Sequence, residues 1–578
     1  MEPKTPWIKN LGEIPSTLSY SGGSMFEAFE KAANTFPDFI FYDFMGTTAT
    51  YSQVSAEVRR CARALRAYGI GEGERVTICM PNVPQTVIMF YAVNLIGAVS
   101  SMLHPLSSAS EIEDAVRDAG STACLTLDMN YEKLALVRLG YPLKHLIITS
   151  AADTLPAFMR AGYALTEGRK IKKIPQGASV IRWQDFMAAA DCFDKTPEVE
   201  RKAEDAAVIL YSGGTTGKTK GILLSNLNFN ALAAQIVAAN PIFRPGDSML
   251  AVMPMFHGFG LGVCIHSMAV NGGRCILIPR FNAESYAGLL KKYRPNFIAG
   301  VPTLYEALLR IESLEGADLS SLKGVFSGGD SLPVSLKQRF DEYLEKHGAT
   351  VRIREGYGTT ECVTASCLTP IHMEKEGSIG LPFPDMFFKI VYVDTENECP
   401  YGEEGEICLS GPTVMLGYDG NPAETGNVLK HHRDGRLWVH TGDLGIMDSD
   451  GFIYFRQRIK RMIVTSGYNV YPSQVESVLD AHENVLLSCV IGLPDPYKMR
   501  KVKAFVVLKP GVPASDETKA GLMDYCREKL IRYAQPYDIE FRESLPKTLV
   551  GKVAYRLLEE EEISRGNSQA ASENSKSI

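Results

Sequence analysis

The 578-residue chain has no apolar run suited to crossing a membrane. Its longest apolar stretch, VIMFYAVNLIGAVSSML at residues 87–103, is short for a span and is interrupted by Asn94 and by Ser100 and Ser101. A buried helix followed by a strand is the expected reading. The opening MEPKTPWIKNLGEIP lacks the apolar centre of a secretory signal. The twelve cysteines form no CxxC frame. The closest pair, Cys362 and Cys367, has no histidine at metal-ligand spacing, which points to a reduced, cytoplasmic setting. A basic surplus is also missing. Sixty Lys and Arg stand against 67 Asp and Glu, a net charge of −7, so no bulk field draws nucleic acid. There is no internal repeat, and the only biased segment is the polar tail NSQAASENSKSI, expected to be disordered.

What is present is an alternation of continuous apolar runs and helical stretches. SAEVRRCARALRAYG has helical periodicity and stops at Gly69; RVTICMPN, AAVILYS, NFIAGVP and GVFSGG read as buried strands, and ESYAGLLKKYRP as a helix. Continuous strands flanked by helices predict parallel sheets covered on both faces up to about residue 380. From Phe387 the strands shorten and alternate (FKIVYV, GEICLSG), as in a small antiparallel, barrel-like sheet. VESVLDAH, SCVIGLP, VKAFVVLK and MDYCREKLI then predict a small α+β domain. The expected fold class is therefore α/β. A large N-terminal domain (1–457) has layered α/β subdomains and a small antiparallel barrel-like one. A mobile small α+β C-terminal domain follows (458–562), then the tail (563–578).

One loop is nearly, but not quite, a Walker phosphate loop. In YSGGTTGKTKG, residues 211–221, Gly213 precedes Gly217-Lys218-Thr219 by one residue too few. Glycines that turn backbone N–H groups inward, with hydroxyls and lysines beside them, still suit a polyphosphate. A Gly-rich surface turn is the plainer reading of the loop taken alone.

The segments that follow it in order change the balance. They are SGGDSLP (327–333), EGYGTTE (355–361), HTGDLG (440–445), RIKRMIVTSGYNVYPSQVE (458–476) and PKTLVGK (546–552). With the loop, they resemble the adenylate-forming, AMP-binding enzymes over nearly the whole chain: acyl-CoA synthetases, peptide-synthetase adenylation domains and luciferases. The texture is most similar to long-chain fatty acyl-CoA ligases. The resemblance implies a two-step reaction. A carboxylate attacks the α-phosphorus of ATP to give acyl-AMP and pyrophosphate; a thiol, taken to be coenzyme A, then displaces AMP.

It also implies site roles. Ser212, Gly213, Gly214, Thr215, Thr216, Gly217, Lys218 and Lys220 would hold the ATP phosphates. Either Ser212 or Thr216 would place its hydroxyl near the metal. Gly328, Gly329 and Asp330 would line the adenine and Tyr357 would stack on it, with glycines on both sides leaving a flat slot. Gly358 and Thr359 belong to the same nucleotide-binding stretch. Thr360 would bond the α-phosphate and Glu361 would hold Mg²⁺, a hard cation that takes carboxylate oxygen. Asp443 would accept both ribose hydroxyls, and Arg458 would reach the ribose. Lys552 would meet the developing charge on carboxylate and α-phosphate oxygens, and His257 would shape the acyl entrance. Lys460 would be the hinge, with Ser466, Gly467 and Tyr468 near the thiol channel. Taken singly, His257 reads as a packed histidine, Asp443 as a turn residue and Lys552 as a solvated loop charge.

Departures from the family pattern are modest: Thr219 in place of a proline, Gln474 in place of a glutamate with Glu476 kept, and RYAQP (532–536) for a Tyr-Lys-x-Pro run. NFIAGVPTLYEALL (296–309) resembles the segment beside the acyl tunnel of the long-chain enzymes. A basic-hydrophobic insert (143–193) carries GRKIKK (168–173), either a solvated face or a peripheral membrane contact. Three rivals stand beside a fatty acid–coenzyme A ligase. One is a ligase for an aryl, bile or medium-chain acid. Another is an acyl-AMP ligase loading a carrier protein, whose usual insertion before the hinge is not seen. The third is a nucleotide-binding regulator, against which intact Lys552, Asp443 and Glu361 argue. Sequence leaves the chain length of the acid and the oligomeric state, a homodimer included, open.

Overall fold

The longest apolar stretch divides as its sequence predicts. In the computed structural model, Pro84–Leu95 is a helix with every residue buried, and Val99–Leu103 is a wholly buried strand. The structure describes residues 3–171, 174–175, 177, 179–212, 219–465, 468–495, 497–547 and 553–574. Each Leu, Ile or Val sealed in such elements contributes about 1.5–3 kcal/mol over its exposed state. The helix Tyr51–Ala67 opens on a capping box between Thr50 and Gln53, which satisfies two otherwise unpaired N–H groups. It stops before Gly69, whose φ of +77° suits glycine.

Two large sheets form the centre. In one of eight strands, Val180–Arg182, His145–Thr149, Ala123–Leu127, Arg75–Cys79, Val99–Leu103 and Ala206–Ser212 run parallel in that spatial order. In one of nine, Ile353–Tyr357, Gly324–Ser327, Phe297–Gly300, Ser248–Ala251, Arg274–Leu277 and Ile40–Phe44 do the same. The parallel cores match the continuous apolar runs. The sheet edges do not: Thr47–Thr50, Lys220–Ser225, Cys367–Leu368, Leu381–Pro382 and Gly417–Tyr418 add antiparallel strands. They are short or turn-linked, and their partners are set by tertiary contacts.

A third sheet of five antiparallel strands holds Phe387–Val391, Glu404–Ser410, Leu437–Met447, Leu429–His431 and Ile453–Arg458. The last ladder reaches Asp443 opposite Arg458. Beyond the turn Ile459–Arg461 a fourth sheet begins. In it Val485–Asp495 pairs antiparallel with Met499–Leu508, which pairs parallel with Asp538–Phe541. The helices Pro472–Asp480 and Asp516–Lys529 pack with this sheet around a core of its own, making the expected small α+β unit.

The helix Tyr555–Asn574 continues past residue 562, where Arg565 pairs with Glu540, Glu561 and Glu562. All twelve cysteines are free, and eleven are buried. No helix among the described residues is long and apolar enough to cross a membrane.

Candidate active site

The near-Walker loop is flanked by two strands, not by a strand and a helix. Ala206–Ser212 and Lys220–Ser225 pair antiparallel as far as Ser212 opposite Lys220. This accounts for the missing Walker register, since no helix N-terminus follows the loop to receive phosphate. Gly213, Gly214, Thr215, Thr216, Gly217 and Lys218 lie outside the described residues. Lys220 sits 3.0 Å from Glu424 and over the Tyr418 ring at 5.1 Å.

Two neighbouring parallel strands bring the residues expected to line adenine together at their carboxyl ends, where α/β sheets commonly bind ligands. Gly328 and Gly329 follow Gly324–Ser327, and Tyr357 ends Ile353–Tyr357. Gly329 has φ +82° and is suited to glycine. Asp330 is exposed and accepts a hydrogen bond from the Ser331 N–H at 3.0 Å. The glycines around Tyr357 serve close chain packing more than an open slot. A Cβ on Gly358 would lie 1.8 Å from the Thr364 carbonyl oxygen, and one on Gly356 would lie 3.2 Å from that of Cys367.

The Tyr357 hydroxyl donates to Asp443 Oδ2 at 2.7 Å. Burial and the Asp443 charge push its phenol far above the ordinary range, so it remains a donor at any physiological pH. Asp443 is 2% exposed and lies cross-strand from Arg458, whose Nε is 3.3 Å from Oδ1. The Asp443 carboxylate, despite burial of its own, holds Arg458 above its usual value. The residues read as adenine platform, ribose acceptor and ribose-reaching arginine thus form one contiguous corner.

Glu361 anchors a second group. It lies in the turn Thr360–Cys362, with Thr359 buried just before it. The Tyr418 hydroxyl donates to Glu361 Oε1 at 2.8 Å, and the Met415 N–H donates to the Glu361 carbonyl at 2.8 Å. Tyr418 reaches it because Gly417–Tyr418 pairs with Ile222 and Leu223. With Oε1 so engaged, Oε2 can face a cation. One carboxylate oxygen fits Mg²⁺, which keeps several waters and takes its other ligands from substrate phosphates.

His257 lies beside this turn. Its Nδ1 accepts from the Phe259 N–H at 3.3 Å as the buried π-helical stretch Phe259–His266 begins. The adjoining Gly258 packs so closely that a Cβ would lie 1.8 Å from the Val363 carbonyl oxygen. The segment that carries His257 therefore packs directly against the turn that carries Glu361.

The small domain joins this region through Lys460, in the turn Ile459–Arg461, and through Arg461. Arg461 forms a bidentate pair with Glu476 and lies over the Tyr555 ring at 4.9 Å. Burial alone would lower its pKa, but Glu476 and, from across the domain junction, Asp330 raise it above its ordinary value. Tyr468 is exposed and stacks on Tyr533 with centroids 4.6 Å apart. Ser466, Gly467 and Lys552 lie outside the described residues, as do Lys172 and Lys173 of the basic insert; Arg169 and Lys170 are exposed in the turn Glu167–Lys170.

The AMP-binding enzyme family profile matches residues 29–419, and that of the AMP-binding enzyme C-terminal domain matches 474–552. The chain belongs to this family of adenylate-forming enzymes. It is 35% identical to a long-chain-fatty-acid–CoA ligase of Bacillus subtilis (strain 168), over 97% of this chain and 99% of that protein. A second long-chain-fatty-acid–CoA ligase, from Yersinia pestis, is 32% identical over 98% of this chain and 99% of its own. Among solved structures, the anthranilate CoA ligase AuaEII in complex with anthranoyl-AMP is similar with a TM-score of 0.80 and 25% identity, covering 95% of this chain and 98% of that one.

Sequence reasoning missed Tyr418 and Glu424. Their segment, MLGYDGNPAET, carries no charge pattern that marks it as part of a nucleotide site. Only the pairing of Gly417–Tyr418 with a strand about two hundred residues earlier brings them in.

Proposed function

We propose that the chain is an ATP-dependent acid–thiol ligase that converts a long-chain fatty acid to its acyl-coenzyme A thioester through acyl-AMP. The observation that carries this reading is the Tyr357–Asp443–Arg458 corner beside the Glu361–Tyr418–Lys220 group. One offers a planar ring, a diol acceptor and a cation; the other offers a carboxylate and a lysine at the edge of the phosphate loop. The long-chain relatives support the choice of acid.

In the first half-reaction a carboxylate oxygen bonds to the α-phosphorus and the bond to pyrophosphate breaks. In the second, the coenzyme A sulfur bonds to the acyl carbon, AMP leaves and the thiol proton passes to solvent. No protein nucleophile is required, so catalysis is positioning and electrostatic stabilisation. Asp443 orients the ribose and Tyr357 the base. Thr360 and Lys552 contact the oxygens on which charge grows, and His257 shapes the acyl side. Mg²⁺, held by Glu361, would neutralise phosphate charge when bound. Lys460 is the pivot on which the small domain, 458–562, turns between the two half-reactions.

The test supplies ATP, Mg²⁺, coenzyme A and a series of saturated acids from short to long, with an aryl acid as a further arm. AMP, pyrophosphate and thioester in equal amounts, with turnover rising toward long chains, is the expected outcome. An optimum at the aryl or a short acid would replace the fatty acid. Acyl-AMP without thioester would point to a carrier protein as acceptor, and no AMP at all to a regulator.

A further inference from the structure

Three residues before Asp443 on the same strand, His440 joins a buried polar chain that the reaction does not use, with Glu406 on the neighbouring strand Glu404–Ser410 and His432 just after Leu429–His431. Gly442, the residue before Asp443, donates its N–H to Glu406 Oε1 at 2.9 Å. The other oxygen, Oε2, lies 2.8 Å from His440 Nδ1, and His440 Nε2 lies 3.0 Å from His432 Nε2. Glu406, His440 and His432 are each less than 9% exposed.

The chemistry of the ends assigns the protons. Burial raises the Glu406 carboxyl, but its bonds from His440 and Gly442 outweigh that and leave it below its ordinary value, so it is ionised and can only accept. His440 therefore carries its proton on Nδ1 and offers Nε2 as acceptor. With both rings neutral, His432 then donates from its own Nε2. Its Nδ1 is left an acceptor, buried and without a hydrogen-bond partner among the described residues. Burial, then the charge of Lys389, lowers the His432 imidazole and keeps it neutral. The ring is clamped from behind: it stacks on Trp438 at 5.6 Å, Lys389 lies over the same indole at 4.3 Å, and Asp434 accepts from the indole N–H at 3.1 Å.

We propose that the His432–His440–Glu406 chain is a positioning device for the nucleotide. It fixes the Gly442 N–H and, with it, the direction in which the Asp443 carboxylate meets the ribose. Gly442 has φ +71°, and a single backbone turn there separates the anchored amide from the acceptor. The bond from the Asp443 N–H to Thr441 Oγ1 at 3.1 Å, and from that hydroxyl to the Ile407 carbonyl at 2.7 Å, closes the turn on its other side. This inference rests on the ribose role of Asp443. Cys408 Sγ also lies 3.6 Å from His440 Nδ1, and the Glu406, Cys408 and His440 ligand atoms fall within 4.8 Å of one another.

The test measures acid-dependent pyrophosphate release against ATP concentration for Glu406→Ala, Glu406→Gln, His432→Phe and Asp443→Ala, with melting temperatures for each. Glu406→Ala is expected to raise the ATP KM about tenfold, as one charge-assisted hydrogen bond would, with kcat within twofold. Added to Asp443→Ala it should raise KM little further, because both act on one contact. Glu406→Gln should recover most of the loss, since an amide can accept from Gly442 and donate to His440 once both imidazoles exchange tautomers. His432→Phe keeps the stack on Trp438 and should raise KM two- to threefold.

A lowered melting temperature with an unchanged ATP KM in Glu406→Ala and His432→Phe would overturn the proposal and leave the chain as packing alone. So would stoichiometric zinc in the purified protein. If Asp443→Ala itself left the ATP KM unchanged, the ribose reading would fail first, an outcome separate from the failure of Glu406→Ala alone.

Discussion

The nucleotide corner and the domain junction solve opposite problems with similar residues. At the corner, Asp443 is sealed, bonded to Tyr357 and placed cross-strand from Arg458, with further buried polar groups behind it. At the junction, Tyr471 Oη donates to Glu404 at 2.6 Å and Ser473 Oγ to the Arg456 carbonyl at 2.7 Å, both at partly exposed positions. Buried networks are costly to rearrange; isolated polar contacts near water are not. On the proposed reaction the AMP part of the nucleotide stays bound through both half-reactions, whereas the small domain would present different groups to each.

The sharpest way to break this contrast is at Lys552. If the small domain supplies charge only to the first half-reaction, Lys552→Ala should slow acyl-AMP formation roughly a thousandfold, the value of a charge contact worth about 4 kcal/mol. Thioester formation from supplied acyl-AMP should stay near normal. Equal loss in both halves would sink the division of labour.

Next in size is the pivot. Proline fixes φ near −65° and removes a backbone donor, so Lys460→Pro should hold one pose. Thioester formation should fall about a hundredfold, as a small misplacement of reacting groups does, while pyrophosphate release from ATP and acid is nearly intact. Loss of both with a lowered melting temperature would mean misfolding, and full turnover would place the pivot elsewhere.

At the fixed corner the expected effect is smaller and confined to binding. Asp443→Ala should raise the ATP requirement about tenfold through loss of a charge-assisted bidentate contact. Titrating ATP under saturating acid measures it directly, and a change in kcat larger than in KM would contradict a purely positioning role.

How far the sequence could be read follows the same contrast. The parallel cores were legible because strands buried on both faces need continuous apolar runs, and AAVILYS, RVTICMPN and GVFSGG are such runs. The residues proposed for the nucleotide site were picked out through the family motifs that carry them, and the structure brings Tyr357, Asp443 and Arg458 into contact. Tyr418, Glu424, Glu406 and His432 were not legible, because their partners lie on other strands and leave no local period. The end of the small domain adds contacts of the same kind: Glu559 pairs with Arg500, Glu561 with Arg542, and Glu562 with the buried Lys503, which pins the helix Tyr555–Asn574 to the small domain. Composition sees polarity but not the opposing charge that a fold supplies.

The smallest expected effect concerns stability, and it asks whether the adenine-lining loops share the rigidity of the ribose corner. Glu355 lies two residues before Tyr357 and accepts from the Leu332 N–H at 3.0 Å, tying the strand Ile353–Tyr357 to the loop after Asp330. It lines a cavity of about 630 Å³ with Lys337, Glu374 and Lys375. Burial pushes its carboxyl up to about 8, against the partial relief of the Leu332 N–H and Lys337. A carboxyl raised in the folded state holds a proton that the unfolded chain has lost. Its contribution is therefore fully present below about pH 4.5, falls as pH rises, and is gone above about pH 8. Glu355→Gln keeps an acceptor for Leu332 but cannot ionise. Discounted for water in the cavity, the variant should gain about 1–2 kcal/mol over the parent at pH 9 and nothing at pH 4.5. Melting curves across that range would show the two proteins separating as pH rises above about 4.5 and differing by a constant few degrees from about pH 8 upward. Parallel curves at every pH would mean that Glu355 is ionised in the folded protein, and that the loop is open to solvent as the ribose corner is not.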